Sequence, residues 1–176
     1  DHSVYALSTE FGGIEWKFKT DGPVVSTPEL RDKTGSNGER VFVGSEDNAM
    51  YALDAGTGSM IWNFKPSGAV VSSPAASPDG LVVLVGSRDK KVYAINAETG
   101  EKLDEFNTNG AIESSPKFRH GGDVLVGSRD YHLYALKLSS NGIFEKQWEY
   151  KANGAIVSPP ALSPDGVTAY LSAMDN

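Results

Sequence analysis

Apolar residues recur along the chain in short alternating bursts separated by glycine, proline and serine, and no segment sustains a 3.6-residue apolar period. This pattern predicts short strands and almost no helix. The bursts are themselves repeated. Asp47-Asn-Ala-Met-Tyr-Ala-Leu-Asp-Ala-Gly-Thr-Gly-Ser-Met-Ile-Trp62-Asn-Phe64 returns, with decay, from Asp1, Asp89 and Asp130. Its tyrosine falls at Tyr5, Tyr51, Tyr93 and Tyr134, giving steps of 46, 42 and 41 residues. A period in that range marks a repeat architecture, in which units too small to bury a core alone share one with their neighbours.

The repeats run over residues 1–46, 47–88, 89–129 and 130–176, within a single domain or segment. Each predicts four strands. The first carries Tyr-Ala-Leu and closes on a glycine-bearing turn, as at Gly56-Thr-Gly58 and Glu98-Thr-Gly100. An aromatic strand follows, Trp16-Lys-Phe18, Trp62-Asn-Phe64, Asp104-Glu-Phe106 and Trp148-Glu-Tyr150, whose alternation puts the first and third side chains on one face. Four residues on stands Gly22, Gly68, Gly110 or Gly154, an offset that suggests a turn with positive φ. Val-Val-Ser-Thr-Pro28, Val-Val-Ser-Ser-Pro74, Ile-Glu-Ser-Ser-Pro116 and Ile-Val-Ser-Pro-Pro160 read as the next strand. A loop of variable length follows, running from Glu29 to Arg40 in the first copy. The last strand is typified by Val83-Leu-Val-Gly-Ser87, and Asp47, Asp89, Asp130 and Asp175 open the turns into the next copies. Four antiparallel strands in about 42 residues is the signature of a β-propeller blade, so the expected fold is all-β.

Ala52-Leu-Asp54-Ala-Gly-Thr57-Gly58-Ser-Met-Ile-Trp62 resembles the tryptophan-docking motif of pyrroloquinoline-quinone-type propeller repeats, and the resemblance extends through all four copies. It implies that Trp16, Trp62 and Trp148 lie on outer strands and stack against the next blade's motif, to which Asp54, Thr57, Gly58, Thr99 and Gly100 belong. Ser8 replaces the motif aspartate in the first copy, Asp104 replaces the tryptophan in the third, and Lys137 replaces the aspartate in the fourth. The third staple is therefore expected to be the weakest. With the family's strand order, the chain opens on the third strand of one blade and closes after the second strand of another. Three closures fit: a four-blade ring, two chains completing an eight-blade ring as a homodimer, or part of a longer propeller.

A net charge of −7 argues against nucleic-acid partners, whose phosphates call for clustered Lys and Arg. The longest apolar run, Leu81-Val-Val-Leu-Val85, is too short to insert into a membrane. Cysteine is absent, which excludes disulfides and thiolate chemistry. The repeated aspartates suit turns that accept backbone amides better than a metal site. His2, His120 and His132 show no ligand spacing, and no nucleophile motif occurs. A pyrroloquinoline quinone or calcium cofactor is not expected, because the vicinal cysteines of quinoproteins are missing and the tryptophans belong to the docking motif. No catalytic, cofactor or metal residue is assigned. The resemblance instead implies a non-enzymatic scaffold for protein–protein interaction, located outside the cytoplasm. A fragment of a quinone-dependent dehydrogenase and a glycan-binding propeller are the alternatives. The candidate partner surface comprises Arg31, Lys33 and Arg40 of the long first loop with Arg88 and Arg129 of two turns.

Overall fold

A computed structural model describes residues 1–31, 38–119 and 121–174; Lys33, His120 and Asp175 lie outside them. The described residues form sixteen strands and no helix. Three four-stranded antiparallel sheets hold strands in sequence order. Blade I contains β3 (Glu29–Arg31), β4 (Arg40–Ser45), β5 (Ala49–Asp54) and β6 (Met60–Phe64). Blade II contains β7 (Ala75–Ala76), β8 (Val82–Ser87), β9 (Lys91–Asn96) and β10 (Lys102–Asn107). Blade III contains β11 (Lys117–Phe118), β12 (Asp123–Gly127), β13 (His132–Leu138) and β14 (Phe144–Lys151). Two-stranded half-sheets flank them: β1 (Ser3–Leu7) with β2 (Ile14–Lys19), and β15 (Ala161–Leu162) with β16 (Ala169–Tyr170).

The middle strands are buried on both faces, because each face meets a different neighbour. Phe42, Met50 and Ala52 of blade I pack with Val83, Val85 and Ile95 of blade II. Leu84, Val92 and Ala94 turn the other way, onto Val124, Val126 and Leu136 of blade III. The core is thus a series of slabs between sheets, and β-branched residues suit both faces of such strands.

The Val-Val-Ser-x-Pro segments are not strands. They are extended connectors, and the first strand of each blade begins just after the proline. Their polar groups bind elsewhere. Ser26 Oγ donates to the Gly44 carbonyl at 2.9 Å and accepts the Gly44 amide at 2.8 Å, and Ser72 treats Gly86 in the same way. The Thr27 amide reaches Ser73 Oγ, whose own amide reaches Ser115 Oγ, each at 2.8 Å, linking successive connectors. In the first copy, Glu29–Arg31 of the expected loop is strand β3.

The glycines of these connectors also serve a purpose other than the expected one. Gly22, Gly68 and Gly110 are absent from the positive-φ residues. A Cβ on them would lie 2.7, 2.5 and 2.3 Å from the backbone nitrogens of Asp47, Asp89 and Asp130. The constraint is close approach of two backbones. Left-handed φ occurs instead at the residue after each aspartate, His2, Asn48, Lys90 and Tyr131, and at Gly12, Gly58, Gly100 and Gly142 of the outer turns.

Two substitutions separate these effects. Gly110→Ala is expected to cost about 3 kcal/mol, since backbone cannot yield to the added carbon. Gly56→Ala, whose Cβ would meet only Asp54 Oδ1 at 3.5 Å, is expected to change stability by less than about 1 kcal/mol. Denaturant midpoints measure both, and equal losses would rule out the close-approach account.

Candidate functional site

Two devices recur at each blade junction. In the first, an aspartate joins its own turn to the connector entering its blade. Asp47 Oδ2 accepts the Asp21 amide at 3.0 Å and the Tyr51 hydroxyl at 2.9 Å, while Oδ1 accepts the Ala49 amide at 3.0 Å. Asp130 repeats this with the Asn109 amide, the Tyr134 hydroxyl and the His132 amide. Burial raises the Tyr51, Tyr93 and Tyr134 hydroxyls well above the ordinary tyrosine range, and the aspartate beside each adds to the shift. Each of these rings also meets the preceding blade edge-on, at Phe18, Phe64 and Phe106, with centroids 5.0–5.3 Å apart.

The second device is the outer staple. Trp16 lies over Gly58, so that a Cβ there would be 2.6 Å from the indole, and its Nε1 donates to the Ala55 carbonyl at 2.8 Å. Trp62 stands likewise over Gly100 and donates to Ala97 at 3.3 Å. Asp54 Oδ1 organises the receiving turn by accepting the Gly56 and Thr57 amides and the Thr57 hydroxyl. Asn96 does the same for the amides of Glu98 and Thr99. At the third junction, Leu103 takes the place of the ring over Gly142, and Asp104 Oδ2 accepts the Phe144 amide at 2.8 Å. Trp148, by contrast, is half exposed.

The five candidate cations divide. Arg31 and Arg40 are buried, contrary to the expected surface role. Arg40 donates to the Ala97 and Glu98 carbonyls at 2.8 and 2.7 Å and pairs with the Glu98 carboxylate. Arg31 pairs with the other carboxylate oxygen at 3.2 Å. Both therefore bind blade I to blade II at the turn that receives Trp62. Lys33 lies outside the described residues.

Arg88 and Arg129 are about half exposed, and both turn to Glu113, their Nε atoms 2.8 and 2.9 Å from its two carboxylate oxygens. Glu46 stands 3.6 Å from Arg88. Glu113 occupies the connector position held by Val25, Val71 and Val157 in the other copies. This departure from the repeat is the sequence signal of the site, a charged residue at a connector position that is otherwise valine. The result is two guanidiniums bridged by one carboxylate on an accessible face. Among the described residues, no group of three or more His, Asp or Glu side chains is arranged to hold a metal ion.

The family described as outer membrane protein assembly factor BamB matches residues 1–175. The chain belongs to this family. No curated protein matches it. Among solved structures, it is similar to BamB from Moraxella catarrhalis, with a TM-score of 0.71 and 17% identity over 92% of this chain and 47% of that one. That likeness is one of fold, a β-propeller, and this BamB-family chain spans just under half the length of that relative.

Burial pushes the Glu113 carboxyl up, but hydrogen bonds from Arg129 and Arg88 outweigh it and hold the group below the usual carboxylate range. Its contribution to stability is therefore present above the unfolded pKa of about 4.3 and is lost as pH falls through the lower folded value. The melting temperature is expected to fall as pH drops below about 4, and more shallowly in Glu113→Gln. Parallel melting curves for the two proteins would refute the assignment.

Proposed function

We propose that this BamB-family chain is a non-enzymatic scaffold for protein–protein interaction, acting outside the cytoplasm in outer membrane protein assembly. It works without pyrroloquinoline quinone or calcium. The observation that carries this reading is the Arg88–Glu113–Arg129 bridge. Two half-exposed guanidiniums held on one carboxylate offer concentrated positive charge on an accessible face. A carboxylate from a partner would compete with Glu113 for the arginines, giving a charge-assisted contact to a planar donor.

The dehydrogenase-fragment reading has less support, since Trp16 and Trp62 are engaged between blades. Among the described residues, no repeated set of exposed loop aromatics favours the glycan-binding reading.

Immobilised chain is expected to capture components of the outer membrane assembly machinery from a bacterial envelope extract. Arg88→Gln with Arg129→Gln is expected to reduce capture at least about tenfold while the chain stays folded, with a loss of stability smaller than that of a fully buried pair, because the arginines themselves are half exposed. Undiminished capture would remove this face from the proposal. Dye reduction with added pyrroloquinoline quinone and calcium would overturn the non-enzymatic reading.

A further inference from the structure

Blades I and II differ at matched positions where each meets the next blade. Arg31 pairs with Arg40 in the first two strands of blade I, and Arg40 pairs with Asp54. In blade II the Ser77 amide donates to the Val82 carbonyl at 2.8 Å, and Val82 pairs with Asn96. Ser77 and Val82 therefore stand where blade I has its two arginines. On the facing turns, Glu98 lies two residues before Gly100, the glycine under Trp62, and Ser140 lies two residues before Gly142, the glycine under Leu103. Blade I thus reaches blade II with two guanidiniums that meet a carboxylate and two carbonyls. Blade II offers blade III only a hydroxyl and an isopropyl group.

The shorter side chains leave room. A cleft of about 300 Å³ lies between blades II and III, bordered by Ser77, Asp79, Val82, Phe118, Leu138 and Ser140. Val82 and Ser140 also border an adjoining cleft of about 510 Å³. Among the described residues, no Arg or Lys lines the first cleft, and Asp79 is its one charged group. Asp79 Oδ1 accepts the Ser77 hydroxyl at 2.5 Å and the Leu81 amide at 3.0 Å, while Oδ2 accepts from no described residue. The Ser140 carbonyl is likewise without a donor among the described residues. Phe118 is the aromatic residue of the wall, and Val82 and Leu138 are its aliphatic ones. Arg119 turns away, its Nε donating to the Gly166 carbonyl at 3.2 Å.

We propose that this cleft receives the side chain of an arginine carried by a partner protein. The guanidinium stacks on Phe118 and donates to Asp79 Oδ2 and the Ser140 carbonyl, and its methylenes rest on Val82 and Leu138. A guanidinium brings a planar face and five N–H donors, so it answers the ring and the open acceptors together. A lone carboxylate with no cation in the wall favours a positive occupant over a neutral or negative one. A lysine ammonium would match the charge but neither the fork nor the stacking. The same molecule supplies the precedent, since Arg40 already holds two carbonyls of the corresponding turn of blade II. The inference extends the scaffold reading without using the Arg88–Glu113–Arg129 face, so envelope capture and arginine binding can fail separately.

The probe is the blocked peptide acetyl-Gly-Arg-Gly-amide, titrated into isotopically labelled chain and followed by backbone amide chemical shifts. Saturable shifts are expected at Leu81, Val82, Ser139 and Ser140. The matching citrulline peptide, which keeps the shape and loses the charge, is expected to bind at least tenfold more weakly. Asp79→Asn keeps an acceptor for Ser77 and Leu81 and is expected to weaken binding at least tenfold. Val82→Arg with Ser140→Glu rebuilds the blade I arrangement inside the cleft and is expected to abolish binding. The proposal is overturned if the arginine peptide moves none of these amides, or if the citrulline peptide binds equally well. It is also overturned if either variant, folded by its amide spectrum, binds as the parent chain does.

Discussion

The structure depends on how closely two backbones approach where each connector enters the next blade. At Gly68 and Gly110 the gap admits a hydrogen but not a methyl group. That proximity lets Asp89 and Asp130 reach the amides of Ser67 and Asn109. It also brings each blade's tyrosine onto the preceding phenylalanine. A four-stranded sheet with apolar side chains on both faces of its middle strands has no stable existence alone. The junction therefore determines whether the fold forms, and the sheets follow from it.

Seen this way, the charged residues fall into two groups with different energetics. Arg40 is fixed by two carbonyls and a carboxylate in a buried place, where loss of one partner of an ion pair costs about 3–5 kcal/mol. Arg88 and Arg129 are half exposed, so their bridge to the more buried Glu113 contributes less than the Arg40 contacts do. The first pair maintains the architecture, and the second remains free to exchange partners.

Strand order and blade composition were legible in the sequence because periodicity survives as long as each unit packs on a similar neighbour. Trp16 and Trp62 were legible for the same reason. The connectors were misread because Val24, Val25, Val70 and Val71 have the β-branched character of a strand, whereas Ser26 and Ser72 supply bonds that a neighbouring strand would otherwise make. The role of Gly22, Gly68 and Gly110 was misassigned because a glycine required by φ and one required by a close backbone look alike in sequence. The inward turn of Arg40 depended on Glu98, 58 residues later, and no local pattern encodes that meeting. Leu103 was missed because it lies one residue from the position where the motif calls for tryptophan.

The staples also have a direction. Trp16 lies on the turn of the following blade, Trp62 does likewise, and Leu103 continues in the same sense. Each unit therefore presents a plug on one side and a socket on the other. For the staples alone, duplication or loss of a whole repeat leaves plug and socket matched at each new junction, whereas the buried pairing of Arg31 and Arg40 with Glu98 ties two particular blades to one another.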